Sequence, residues 1–502
     1  MRYAAGPLGD LRWRAPIEPI RSTGVEKATE FRPICLASNG AYPQAGQDED
    51  CLFVNVWAPA NATACSKLPV WVFIQGGGYN ALTNANWNGS ELVEKSRHNL
   101  ILVNFNYRVG IWGFLASERV RNDGALNAGL LDQRMLLKWV KKHISSFGGN
   151  PDHIVIHGAS AGAGSVAMHL VSYGGRDDGL FVGGMVEAIF FPAQPFLSEL
   201  EWQFDRVAAQ AGCGKVDSDK QMACLRQKDV ALLQRASRAQ PFPGKTLPPN
   251  PIFYFTPCVD GDILRDIPYE LFGTGQYVKV PMLFGTSNDE GSVFAANASR
   301  RSDMATFFEN NYPRLTKNDT YSILARYPVL PSVPNHAPWF PTASQAYGDA
   351  TFICPQTNVL NYLSRRTYSS PSTNSPLYAY RFNVQDERNI ATGMGVPHLF
   401  DAAAIFGPDN ISGDVAHSYR TYNKEVVPRV MAYYISFARA LDPNRYRLLG
   451  TPKWETWDSG QIGDMKRMLF ETGNTQMELL SEEEKDRCRF WEVLGRERME
   501  QR

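Results

Sequence analysis

Gly158, Ser160 and Gly162 form a G-x-S-x-G motif between a short apolar run, His153 to His157, and a stretch rich in alanine and glycine. A serine on a sharp strand-to-helix turn projects its hydroxyl clear of a sheet, where it can attack a carbonyl carbon. The flanking glycines are needed because a Cβ at either would clash across the turn. The helix that follows aims free N–H groups at whatever the serine attacks. A glycine-rich turn with an incidental serine carries the same three residues, so the rest of a hydrolytic site must decide.

Serine hydrolysis requires a base, an acid that orients it, and donors for the oxyanion. In α/β-hydrolases these follow in the order Ser, acid, His. Of the eight histidines, His336, His398 and His417 lie well beyond Ser160. His336 sits in a proline-rich loop with no strand before it, and His417 opens a helix at the surface. His398 ends Gly393-Met394-Gly395-Val396-Pro397-His398, a glycine-punctuated loop after an apolar strand, which suits a base carried over a sheet edge. The acid belongs in Gly285-Thr286-Ser287-Asn288-Asp289-Glu290-Gly291, where Asp289 and Glu290 both qualify. Gly76-Gly77-Gly78 directly follows a buried strand, as an oxyanion loop does, with Gln75 before it. The N–H groups of Gly77, Gly78 and Ala161 would then bind the oxyanion.

The elements that must position these groups are legible as periodicities. Leu52 to Trp57 alternates and is β-branched. Val70 to Ile74, Ile101 to Phe105, Met185 to Phe191, Val278 to Phe284 and Leu377 to Phe382 read as largely apolar strands. Leu130 to Phe147 has helical spacing, as do Val415 to Ala440 and the charged tail after Ser481. Strands alternating with helices predict an α/β fold with a large, mostly parallel sheet, whose ligands bind at the carboxyl ends of the strands. Residues 200 to 275 and 312 to 341 look like insertions. Gly6 to Trp13 is turn-rich and expected on the surface.

Composition excludes several classes. The 502 residues hold 51 Lys plus Arg and 51 Asp plus Glu, which favours neither nucleic acid nor an anionic membrane as partner. No apolar run is long enough to span a bilayer. The first residues lack the apolar core of a signal peptide. Eight cysteines and five N-x-S/T sequons, at Asn61, Asn88, Asn297, Asn318 and Asn410, point outside the cytosol. Cys35 and Cys51 bracket a short polar loop suited to a disulfide.

The chain resembles the type-B carboxylesterase and lipase family, the superfamily of cholinesterases and fungal lipases. The resemblance rests on Gly9-Asp10-Leu11-Arg12, Glu49-Asp50-Cys51-Leu52, Asn106-Tyr107-Arg108-Val109-Gly110, Asn127-Ala128-Gly129-Leu130-Leu131-Asp132-Gln133-Arg134 and Phe147-Gly148-Gly149-Asn150-Pro151. It continues through Asp289-Glu290-Gly291-Ser292 and Phe490-Trp491. It implies one α/β-hydrolase domain over residues 1–502 with insertions forming the pocket rim, beginning after the family's first strands and signal peptide. It implies Glu290 rather than Asp289 as the acid beside Ser160 and His398. It implies disulfides Cys35–Cys51, Cys213–Cys224 and Cys354–Cys488, with Cys65 and Cys258 free. A secreted serine esterase of small to medium esters is expected, without metal or cofactor. An inactive cholinesterase-like binding protein, a transacylase and a cytoplasmic location are the alternatives.

Three departures from the family stand near the site. Ala159 precedes the nucleophile where Glu is usual. Pro192-Ala193 is placed where Ser-Gly usually ends the next strand. Asp401, three residues after His398, stands for a Glu. The loop between Cys35 and Cys51 is also short, 15 residues without Trp, which implies an open mouth.

Overall fold

The computed structural model describes residues 1–499 apart from 21–22, 39, 41–42, 246–247, 369–374, 414 and 459–463. Two short parallel strands, β1 (Ile34–Cys35) at its start and β2 (Gln47–Asp48) within it, pair across the loop that the Cys35–Cys51 disulfide closes. The main sheet contains β3 (Val54–Trp57), β4 (Leu68–Ile74), β5 (Ile101–Phe105), β6 (Gly149–Ala159), β7 (Gly183–Glu187), β8 (Met282–Ser287), β9 (Leu377–Asn383), β10 (Lys466–Glu471) and β11 (Asn474–Leu479). Their spatial order is β11-β10-β9-β8-β7-β6-β4-β5-β3. All neighbours run parallel except the outermost pairs, β3 with β5 and β10 with β11.

Both faces of the sheet are covered, which is why its strands read as continuous apolar runs. Along β4, Val70, Val72 and Ile74 enter one core while Trp71 and Phe73 enter the other. Helices Ala128–His143 and Ala161–Gly175 pack into the first core, and helix Val426–Ala440 into the second.

Several family motifs turn out to be structural. Arg108 and Asp132 form a bidentate ion pair at 2.8 and 2.7 Å with both side chains buried. Arg12 pairs with Glu49 at 2.5 Å. Residues 6–13 are therefore not a surface turn throughout: Arg12 is buried, and Trp13 is buried with its indole N–H on Ile111 O at 2.8 Å. Disulfides Cys213–Cys224 and Cys354–Cys488 are also formed, while Cys65 and Cys258 are free.

Two strand boundaries differ from the sequence reading. β8 starts at Met282 because Pro281, with no N–H, cannot join the ladder. β7 ends at Glu187, so Pro192-Ala193 does not close that strand. Ala188 adopts φ 56°, which breaks the extended run, and Ile189 to Phe191 are apolar because they are buried.

Candidate active site

Three parallel strands deliver their loops to one edge. β4 ends at Ile74 and releases Gly76 to Gly78. β6 ends at Ala159 and releases Ser160. β8 ends at Ser287 and releases Glu290. His398 arrives from the loop after β9. The side chains share an edge because their strands are parallel and close together in the sheet.

Ser160 has φ 57° and ψ −119°, a strained conformation for a residue with a Cβ. The chain tolerates it because the turn is clamped. A Cβ on Gly158 would collide with Gly162 O, and one on Gly162 with Ile74 O. Ser160 N–H donates to Glu187 O at 2.8 Å.

The glycine loop packs on this elbow. A Cβ on Gly76 would lie 2.9 Å from the Ser160 Cβ. Gly77 and Gly78 both take positive φ, 123° and 62°. Their N–H groups donate to no acceptor among the described residues. Ala161 opens the elbow helix, where an N–H has no acceptor one turn back. Backbone donors are thus gathered beside the Ser160 hydroxyl.

His398 has one ring nitrogen engaged and one free. Nδ1 contacts Glu290 Oε2, and the other Glu290 oxygen accepts Ser287 N–H at 2.6 Å. Nε2 is buried without a hydrogen-bond partner among the described residues. The ring lies between Phe294 and Phe352, with centroids 5.0 and 4.5 Å away. Phe253 lies over Gly78 and packs edge-on against Phe190 at 4.5 Å. Asp289, the other acid in the loop, points elsewhere: its Oδ2 accepts Val396 N–H at 2.8 Å. His336 is half-buried against Phe340, and His417 is exposed at the start of a short helix.

A carboxyl, an imidazole with a free nitrogen, a strained serine and unengaged amides form the parts of an acyl-transfer site. A family model described as the carboxylesterase family matches residues 1–491. The chain belongs to this family. It is 47% identical to the solved structure titled Aspergillus niger EstA, with TM-score 0.94, covering 100% of this chain and 94% of that one. It is 27% identical to Secreted lipase 4 of Gibberella zeae, over 97% of this chain and 86% of that protein. It is 29% identical to the acetylcholinesterase of Bungarus fasciatus, over 88% of this chain and 74% of that protein. The fold and the carboxylic-ester hydrolase class follow from this membership.

Part of this site carries no motif signal in the sequence. Phe253 comes from an insertion, Phe352 from a helix and Phe294 from the turn just past Asp289 to Ser292, none of them with a motif of its own. Glu187 and His157 are buried polar residues behind the elbow. A charged residue interrupting the apolar run Met185 to Phe191 was the available signal.

Proposed function

We propose a serine carboxylic-ester hydrolase acting through an acyl-enzyme. Ser160 Oγ attacks the ester carbonyl while His398 Nε2 takes its proton. Glu290 fixes the imidazole with Nδ1–H toward the carboxylate and stabilises the imidazolium. The N–H groups of Gly77, Gly78 and Ala161 bind the oxyanion, each donor contributing about 3 kcal/mol to the barrier reduction. The imidazolium protonates the departing alcohol, and water attacks the acyl-enzyme by the reverse proton route.

The observation that carries this reading is the divided histidine. Its Nδ1 sits on a buried carboxylate, and its Nε2 is kept free at the carboxyl ends of the strands that carry Ser160. Phe253 over Gly78 supports small to medium acyl groups. The short loop inside the Cys35–Cys51 disulfide supports turnover without a jump at an oil–water interface.

Three disulfides support a secreted enzyme of one domain. No described helix is long and apolar enough to cross a membrane. Asn61, Asn88, Asn297 and Asn318 are exposed and open to glycans. Asn410 is not, because its amide donates to Glu91 at 2.5 Å and to Phe406 O at 3.1 Å.

A chain-length series of p-nitrophenyl esters tests the reading. Turnover on short to medium chains is expected for the wild type and near-total loss for Ser160→Ala. Equal rates would remove Ser160 from the mechanism.

A further inference from the structure

Glu187 is the last residue of β7 and is fully buried. Its carbonyl accepts the Ser160 N–H, and it pairs in register with Ala159 on β6. Its side chain has a different engagement. Oε2 lies 3.4 Å from His157 Nε2, but that ring is caged by Trp71, Phe73, Phe406 and Tyr434. Burial lowers the His157 pKa to about 3, so the ring is neutral. Neither Glu187 oxygen receives an N–H or O–H from the described residues.

The group that Glu187 meets is another buried acid, Asp401. Asp401 Oδ2 receives the Tyr380 hydroxyl, and the Tyr380 oxygen lies 2.8 Å from the Tyr434 hydroxyl. Asp401 Oδ1 receives no donor among the described residues. Two carboxylates cannot bond to each other unless one keeps a proton. Burial, the Asp401 charge and the nearby Glu290 charge all push the proton affinity of Glu187 up, whereas burial and Glu290 raise that of Asp401 while its hydrogen bonds with Tyr380 and Glu187 lower it. The Tyr380 hydroxyl stabilises the anion on Asp401, whereas no described residue donates a hydrogen bond to Glu187. The proton therefore resides on Glu187, and its O–H donates to Asp401.

Asp401 stands three residues after His398 and directly before helix Ala402–Phe406. We propose that Glu187, as a neutral carboxylic acid, is a positioning residue that ties the serine elbow to the histidine loop. Its main chain grips Ser160 and its side chain grips Asp401. The ionisable groups facing it are His157 on β6, Glu290 after β8, Tyr380 on β9, Asp401, Tyr419 and Tyr434. The proposal rests on the reading of Ser160 and His398 as nucleophile and base.

Glu187→Gln and Glu187→Leu separate a positioning role from space filling. The Gln amide N–H replaces the carboxyl O–H toward Asp401, while Leu fills similar space without a donor. Glu187→Gln is expected within about threefold of wild-type kcat, and Glu187→Leu at least about tenfold below it with KM little changed. Infrared spectra at neutral pH should show a protonated-carboxyl C=O band in the wild type that Glu187→Gln removes. Equal impairment of Gln and Leu, unimpaired Leu, or an unchanged band in Glu187→Gln would each overturn the proposal. If Glu187→Leu does not fold, the infrared difference between wild type and Glu187→Gln still decides. That band does not depend on turnover, so it also distinguishes failure here from failure of the Ser160 reading.

Discussion

Asp289 holds the Val396 backbone from both sides: its carboxylate accepts the Val396 N–H at 2.8 Å, and its own N–H donates to Val396 O at 2.9 Å. The next residue, Glu290, contacts the His398 ring. Two adjacent acids therefore serve one histidine differently, one through its loop and one through its nitrogen. Glu290→Gln should lower kcat on the order of 10⁴-fold, because the tautomer and the imidazolium lose their partner. Asp289→Ala should cost about tenfold to a hundredfold, as misplacement of the loop does. Steady-state kinetics on a short p-nitrophenyl ester checks the order. A larger loss in Asp289→Ala would reverse the assignment.

Arg108 and Asp132 are buried together, and the Asp132 carboxylate also accepts the Arg108 backbone N–H at 3.0 Å. Asp132→Ala leaves a guanidinium buried without a counter-charge. The expected loss is about 3–5 kcal/mol of stability. Denaturant midpoints measure it, and a change below about 1 kcal/mol would mean that the site rehydrates.

His169 should drive acid unfolding. It is fully buried, with Nε2 2.8 Å from Gln133 Oε1, and Gln133 in turn donates to Ser165 in the elbow helix at 3.0 Å. Burial, helped by the Arg134 charge, lowers its pKa from 6.5 to about 3. The unfolded chain binds a proton below pH 6.5 that the folded chain refuses until about pH 3. Stability is unaffected above that window and falls as pH drops through it. In His169→Gln, the fall in Tm between about pH 7 and about pH 4 should be smaller than in the wild type. An equal fall would remove His169 from the acid transition.

Phe253 limits the space over Gly78. Phe253→Ala should shift the preferred acyl chain to a longer one by opening room beside the oxyanion loop. The same ester series reads this as a change in the order of kcat/KM values. An unchanged order would show that the acyl group lies elsewhere.

Much of this architecture was legible because the sheet is buried on both faces. Val70 to Ile74 and Ile101 to Phe105 could be read as strands from apolarity alone, and parallel strands then fixed which loops share an edge. Ser160 and Gly76 to Gly78 carried their own backbone signals. Local pattern does not tell Asp289 from Glu290, since residues one apart share it, and only the family resemblance favours Glu290. β10 and β11 carry no clear strand signal because β11 is half exposed and polar, and its hairpin rests on Arg467 paired with Glu478 and Glu484 rather than on apolar alternation. Glu187 was hidden because its partner, Asp401, lies far along the chain and on another element.

The most direct measurement is the mass and location of a covalent adduct. A fluorophosphonate should add once to the native protein, on the peptide bearing Ser160, and fail to add to Ser160→Ala at the same rate. Labelling of another residue, or undiminished ester turnover by Ser160→Ala, would contradict the acyl-enzyme mechanism at this serine.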